Sequence, residues 1–410
     1  MLGKYVFENN KGVFIVAQSW PCMPYGGSIA ITASLRQYCK FFDDVVFICL
    51  GKDEISQNAA ETFPTVHFHF IHVHKKSLTN RFLRSIFFNR PAITLSMGAN
   101  SVFYSIVGIL STYLTKGNLY KYVGIVEDNV PGIHLIKLKE RYPNMLWAFK
   151  SHDVLHKAFS MFKSTGNPFF RLAWWHEIGK IYQFEYALIK TADVKWAITK
   201  DDLILSEKCY ETNFDGVFDS DIDLSRYENI RTGKLNNIIY LGSADSRKGH
   251  GIKMFIKNVW PQLLDRYSNR IELTLGGRQT EIFHNQKIRV SGVGFINDEI
   301  TFLGKGAIFI NPQVAGSGLK LKSIIAMAAG KVLVTTENGA LGLDGIPGKH
   351  YCVAKSDEHM IQIISHLIDN PTYVKKIALD GQEFAKERFS RQAFSERVQP
   401  LLIDYWKKAF

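Results

Sequence analysis

Cysteine is scarce in this chain: five in 410 residues, at Cys22, Cys39, Cys49, Cys209 and Cys352. Their number is odd, their spacings are wide and none forms a Cys-x-x-Cys pair, so they read as reduced thiols of a cytosolic protein. Long apolar runs are missing too. The N-terminus "MLGKYVFENNKGVFIVAQSW" has no continuous apolar core and is not read as a signal peptide. "SVFYSIVGILSTYL", Ser101 to Leu114, falls short of the roughly 20 residues needed to span a bilayer and reads as a buried helix. There is no low-complexity tract and no short internal repeat. Acidic residues are in deficit, 38 against 50 Lys and Arg, for a formal charge of +12. That balance favours an anionic partner: a nucleotide, nucleic acid or an acidic membrane surface. With no zinc finger, basic zipper or RNP-like motif, nucleic acid is set aside.

What is present is a large α/β protein. At 410 residues and 46% hydrophobic content, two cores are the default. "GVFIVAQS" is a β-branched apolar run ending in the Pro/Gly loop "WPCMPYGGS", and "IAITASLRQYCK" follows as a helix, the opening of a parallel-sheet unit. "DVVFICLG", "YVGIVED" and "LWAFKSHD" read as further strands, the last two with polar ends. Ligands of open parallel sheets bind beyond the carboxyl ends of strands. Position alone therefore marks Gly26, Gly27, Glu127, Asp128, His152 and Asp153 as cleft candidates. "IGKIYQFEYALIKTADVKWAITKDD" reads as helix, strand and polar end, and the polar segment after it as an inter-domain connection. A second α/β series begins at "IIYLGSADSRKGHG" and continues through "IELTLGG", "GAIFINP" and "KVLVTT".

Several stretches carry chemistry. In "LGSADSRKGHG", Arg247 and Lys248 adjoin glycines at a helix start, where ammonium and amide groups converge on phosphate, unless the loop is merely exposed. In "AGSGLKLK", Gly316 and Gly318 admit close approach, and the amides of Ser317, Gly318, Leu319 and Lys320 point toward one anion. The helix behind has an apolar face at Leu321, Ile324, Ile325 and Ala328, with Gly330 as its stop. Lys320 and Lys322 fall outside that face, at the end of a helix where positive charge is unfavourable without an anion; the reading is a diphosphate bound here with Lys320, nearer the glycines, as its direct ligand, and the plain alternative is a tight turn with two solvated lysines. His152 suits a general base or a polar contact to a sugar hydroxyl, or else a structural histidine bonded to backbone. The run "HFHFIHVH" places His67 and His69 on one face and His72 and His74 on the other, so no metal centre forms. "DSDID", Asp219 to Asp223, reads as a solvated acidic turn rather than a magnesium site. "RFLRSIFFNR" interleaves Arg81, Arg84 and Arg90 with apolar residues, a pattern suited to anionic lipid or to a core helix with a basic side.

"IIYLGSADSRKGHGIKMFIKNVWPQL" together with "IFINPQVAGSGLKLKSIIAMAAGKVLVTTENGALGLDG" resembles the C-terminal half of the glycosyl transferases group 1 family, and "YGGS", "SHD" and "FEYALIKTADVKWAITKDD" are similar to its N-domain pattern. The resemblance implies the GT-B fold, α/β with two Rossmann-like domains facing a cleft. Residues 1–205 form an acceptor-side domain, 206–385 the nucleotide-sugar domain, and 386–410 a helix crossing back to the first. It implies transfer from a nucleotide-diphosphate sugar to a glycan, lipid-linked or protein acceptor in surface polysaccharide or glycoconjugate synthesis, with no obligatory cofactor or metal. The location expected is cytoplasmic, with peripheral contact at an anionic inner membrane face. By the same resemblance Gly26 and Gly27 match the N-terminal glycine loop, His152 the catalytic-region histidine and Lys248 the phosphate-binding lysine. The family's preceding arginine is Ser243 here. Its two glutamates are Ser317 and Ile325, which leaves ribose recognition and the stereochemical outcome open. The alternatives are a catalytically silent GT-B subunit that binds glycan and a nucleotide-sugar epimerase.

Overall fold

The computed structural model describes residues 10–410 apart from 24–25, 52–56, 75–79, 82–83, 86–89, 116–120, 161–167, 245–248, 269, 315 and 317, and only the backbone of 168–170. The chain divides into two compact units. The first comprises Met1–Ser220 with Ser395–Phe410, the second Asp221–Phe394.

The first unit is built on seven parallel strands: β1 (Lys11–Ala17), β2 (Asp44–Gly51), β3 (Val66–His72), β4 (Lys121–Glu127), β5 (Trp147–Ser151), β6 (Val194–Ala197) and β7 (Gly216–Val217). Their order is β3-β2-β1-β4-β5-β6-β7. Every residue of β1 is buried, as expected of a central strand covered on both faces. The chain runs outward from β1 through β2 to β3, then returns to β4 on the other side. β1 and β4 therefore flank the point where strand order reverses, and β1 pairs with β4 from Lys11↔Lys121 to Val16↔Val126. The helix Asn100–Leu114 differs from the expected buried helix. Only Val102, Ile106 and Leu110 are buried, at four-residue spacing, and Tyr104 is 68% exposed. A helix lying on one face of a sheet buries a single stripe, whatever its mean hydropathy.

The end of the chain belongs to the first unit. Tyr405 of the helix Arg391–Ala409 donates its hydroxyl to Gly124 O at 2.5 Å and Leu146 O at 3.0 Å. Arg397 meets Asp219 at 2.9 Å. Asp219, Ser220 and Asp221 are each 1% exposed or less, so "DSDID" is no solvated turn. Asp219 is paired within the first unit, and Asp221 and Asp223 face Arg391 within the second, at 3.7 and 2.8 Å. Acids buried this deeply hold their charge only beside cations.

The second unit has six parallel strands: β8 (Lys234–Leu241), β9 (Glu272–Gly276), β10 (Val290–Gly292), β11 (Gly306–Asn311), β12 (Val332–Thr336) and β13 (Cys352–Ala354), in the order β10-β9-β8-β11-β12-β13. Here the reversal falls between β8 and β11. The helix beginning at His250 packs hard against the loop after β11: a Cβ on Gly251 would lie 1.7 Å from Pro312 O, a contact only glycine permits.

Candidate functional site

Each unit presents polar residues at the carboxyl ends of the strands beside its own reversal point, where α/β sheets bind ligands. In the first unit Gln18 follows β1 and Asp128 follows β4, and the Gln18 amide donates to Asp128 Oδ2. Asp128 has φ of 78°, a left-handed conformation uncommon outside glycine, and its Oδ1 accepts from Asn129 N at 2.6 Å. Gly26 is exposed and Gly27 half-buried, at the start of the helix Gly26–Phe41. Asp153 is half-buried, and its carbonyl accepts from the Asn129 amide at 2.8 Å and the Ser151 hydroxyl at 2.9 Å.

His152 immediately follows β5 and is 7% exposed. Its Nε2 lies 2.8 Å from Glu127 Oε2, and its backbone N donates to Asn129 Oδ1 at 3.2 Å. Glu127 is fully buried and is thereby corrected as a cleft-facing residue. Its Oε1 accepts from the Tyr38 hydroxyl at 2.6 Å, and Oε2 sits 3.5 Å from Lys150 Nζ. Lys150, also fully buried, reaches Ser34 Oγ and stands 4.6 Å above the Phe218 ring. Burial by itself would push the Glu127 carboxyl up, but Lys150, His152 and Tyr38 outweigh it and hold the pKa at about 2. Burial lowers the Lys150 pKa, with Glu127 opposing. An ionised Glu127 requires the proton on His152 Nε2, which makes Nδ1 the basic atom of the neutral ring. Nδ1 has no hydrogen-bond partner among the described residues. Tyr38 and Lys150 were missed by sequence reasoning. Lys150 stands two residues before His152 inside the apolar run "LWAFKSHD", so strand alternation puts both on one face.

In the second unit Gly316 (φ 120°) and Gly318 (φ 74°) form a left-handed turn after β11, a geometry that favours glycine. Lys320 is neither solvated nor poised outward. It is 4% exposed, and its Nζ donates to Gly318 O at 2.9 Å. The ammonium neutralises carbonyls of its own loop, which removes the conflict with the helix Leu321–Ala328 that begins after it. Lys322 is the lysine turned toward the end of β8, its Nζ 5.1 Å from the centroid of Tyr240. The apolar face of that helix is also corrected: Ser323, Ile324, Ala326, Met327 and Ala328 are buried, while Leu321 and Ile325 are half-buried. Leu319 is half-buried beside the loop. Asn311 is fully buried and donates to Ser323 Oγ at 2.8 Å, yet its Oδ1 has no partner among the described residues. Arg247, Lys248 and Ser317 lie outside the described residues, as do Tyr25 of "YGGS" and all five apolar positions in "RFLRSIFFNR".

No group of three or more potential metal ligands occurs among the described residues. His69 and His72 instead line an open groove of about 530 Å³ between β3 and the helix Asn100–Leu114. The groove lies at the sheet edge, away from the reversal point.

Two parallel Rossmann-like sheets with this order define the GT-B architecture, and residues 236–370 match the family described as "Glycosyl transferases group 1". The matched residues lie within the second unit. Among solved structures, the sucrose-phosphate synthase of Thermosynechococcus elongatus is similar with a TM-score of 0.69 at 13% identity, covering 97% of this chain and all of that one. Anabaena HepE in complex with UDP gives 0.65 at 13% identity, covering 96% and 100%. At such low identity these likenesses show the fold alone. A curated relative, an uncharacterised 44.6 kDa protein in the cps region of Klebsiella pneumoniae, is 25% identical over 172 residues. That match spans 39% of this chain and 44% of the relative.

Proposed function

We propose that the protein is a glycosyltransferase that uses a nucleotide-diphosphate sugar, with the nucleoside diphosphate taken by the second unit and the acceptor by the first. The observation that carries this reading is the coincidence of the family match with the β8/β11 reversal point, where a left-handed glycine turn, Lys322 and the orphaned Asn311 Oδ1 gather. HepE, of like fold, was solved with UDP and with UDP-glucose, which makes uridine nucleotides the first to test. Lys322, with Arg247 and Lys248, supplies positive charge for the leaving diphosphate, stabilisation this chemistry obtains from fixed charges and amides. His152, oriented by Glu127, serves the acceptor side through Nδ1, as a base or as a hydrogen-bond acceptor from a sugar hydroxyl. The half-buried Ile325 replaces the glutamate that the family resemblance leads one to expect there, so ribose recognition falls to other groups. The cps-region relative makes a surface-polysaccharide acceptor the first class to try.

The test is calorimetry and thermal shift against a panel of nucleoside diphosphates. One of them, at about 100 times its dissociation constant, is expected to stabilise the protein by about 2.7 kcal/mol. Lys322→Ala is expected to weaken that binding by about 1.5–3 kcal/mol. Absence of any nucleotide effect would refute the donor site. Binding without transfer or donor hydrolysis would favour a silent subunit, and conversion of the donor to another sugar nucleotide an epimerase.

A further inference from the structure

The helix Pro168–Thr191 packs against the core of the first unit through Phe184, Leu188 and Ile189. Its inner side carries Ile178, Ile181, Phe184, Leu188 and Ile189, all buried. Its outer side is also apolar. Leu172 is 65% exposed, Trp175 63%, Tyr182 37% and Tyr186 43%. With Gly179, also exposed, these positions step by three and four residues, so they form one stripe along the helix. Fourteen residues separate its ends, about 21 Å of helix.

The helix itself presents charge of one sign, and an exposed carboxylate beside it is that of Glu211, whose backbone carbonyl accepts from Lys190 Nζ at 3.2 Å. The exposed ionisable positions of the helix are Arg171, His176 and Lys190. Its two acids are turned inward and occupied. Glu177 accepts from Ala92 N at 2.8 Å, and Glu185 from Leu155 N at 2.7 Å and the Tyr210 hydroxyl at 2.7 Å. The basic segment singled out in the sequence lies alongside: Lys180 donates to Ser85 Oγ at 3.1 Å, and Ser85 is flanked by the exposed Arg84. Exposed aromatic area of this extent on a soluble face marks an interaction surface.

We propose that this outer face docks on an anionic lipid bilayer. Tryptophan and tyrosine seat their apolar bodies among acyl chains with polar tips at the headgroups, while surrounding cations meet lipid phosphates. A second copy of the chain would bring the same cations against this face and no exposed carboxylate from its own copy of the helix. The docking face stands independently of the glycosyltransferase reading.

The experiment is co-sedimentation of the full chain with phosphatidylcholine vesicles, with and without phosphatidylglycerol. The wild type is expected to bind only the phosphatidylglycerol vesicles and to be released by salt. Trp175→Glu/Tyr186→Glu and, separately, Arg171→Glu/Lys190→Glu are expected to lower the partition at least about tenfold. Both should keep the wild-type Tm and the wild-type response to nucleotide, which separates loss of docking from loss of the donor site. Failure of the wild type to bind, or equal binding by both variants, overturns the proposal. So does a dimer in sedimentation velocity that the aromatic variant dissociates, since the stripe would then belong to a second copy.

Discussion

Replacing Glu127 by glutamine keeps the shape of the side chain and removes its charge, which isolates the electrostatic role of the buried cluster. The wild-type carboxyl has a folded pKa of about 2 against an ordinary 4.5. That gap corresponds to about 3 kcal/mol of preference for the ionised form in the folded state. Because the folded value is depressed, this stability is fully present above about pH 4.5 and is lost as pH falls toward about 2, where the folded state too becomes protonated. In Glu127→Gln the stabilisation is absent at every pH, and Lys150, fully buried, is left without its counter-charge. Removing one member of a buried pair costs about 3–5 kcal/mol, whereas removing both is often close to neutral. Glu127→Gln is therefore expected to lose about 3–5 kcal/mol at pH 7, and Glu127→Gln/Lys150→Met to recover most of it. Urea unfolding followed by tryptophan fluorescence suits the measurement, since Trp20, Trp147, Trp174, Trp175, Trp196 and Trp406 lie in the first unit and only Trp260 in the second. A loss below about 1 kcal/mol in the single variant, or a double variant no better than the single, would refute the paired-charge account.

Two further outcomes concern the second unit. Gly251→Ala would bring a Cβ within 1.7 Å of the Pro312 carbonyl, backbone against backbone. It is expected to destabilise by at least about 2 kcal/mol, and an unchanged Tm would show that the helix and the β11 loop are not packed as described. Lys331, 1% exposed, donates to Arg231 O at 2.9 Å, and burial pulls its pKa from 10.5 down to about 8. The unfolded chain therefore binds more protons between those values, and stability rises with pH across them. Urea unfolding is expected to give up to about 2 kcal/mol more stability at pH 9.5 than at 7.5. Lys331→Met should lose that increment, and an identical pH slope in the variant would rule out Lys331 as its source.

Local pattern settled the strands and the loops that matter. Runs such as "GVFIVA", "DVVFICLG", "GAIFIN" and "KVLVTT" are apolar because parallel strands covered on both faces bury every side chain, so composition alone reveals them. The turn at Gly316 and Gly318 was legible for a similar reason: few residues other than glycine suit those backbone angles. Direction and partnership of charged groups were decided by tertiary structure. In "AGSGLKLK" nearness to the glycines favours Lys320 as the phosphate ligand, yet Lys320 is folded onto the carbonyls of its own loop while Lys322 leans on Tyr240; that outcome depends on where β8 lies, some eighty residues earlier in the chain. Glu127 reads as a cleft residue from its place at a strand end, yet Tyr38, Lys150 and His152 converge on it from a helix and a neighbouring strand and draw it into the interior. The same holds for Asp219, which reads as solvated until the C-terminal helix brings Arg397 against it. Apolar burial depends on short-range periodicity, which the chain writes locally. The pairing of a buried charge depends on residues distant in sequence, and only the folded sheet order brings them together.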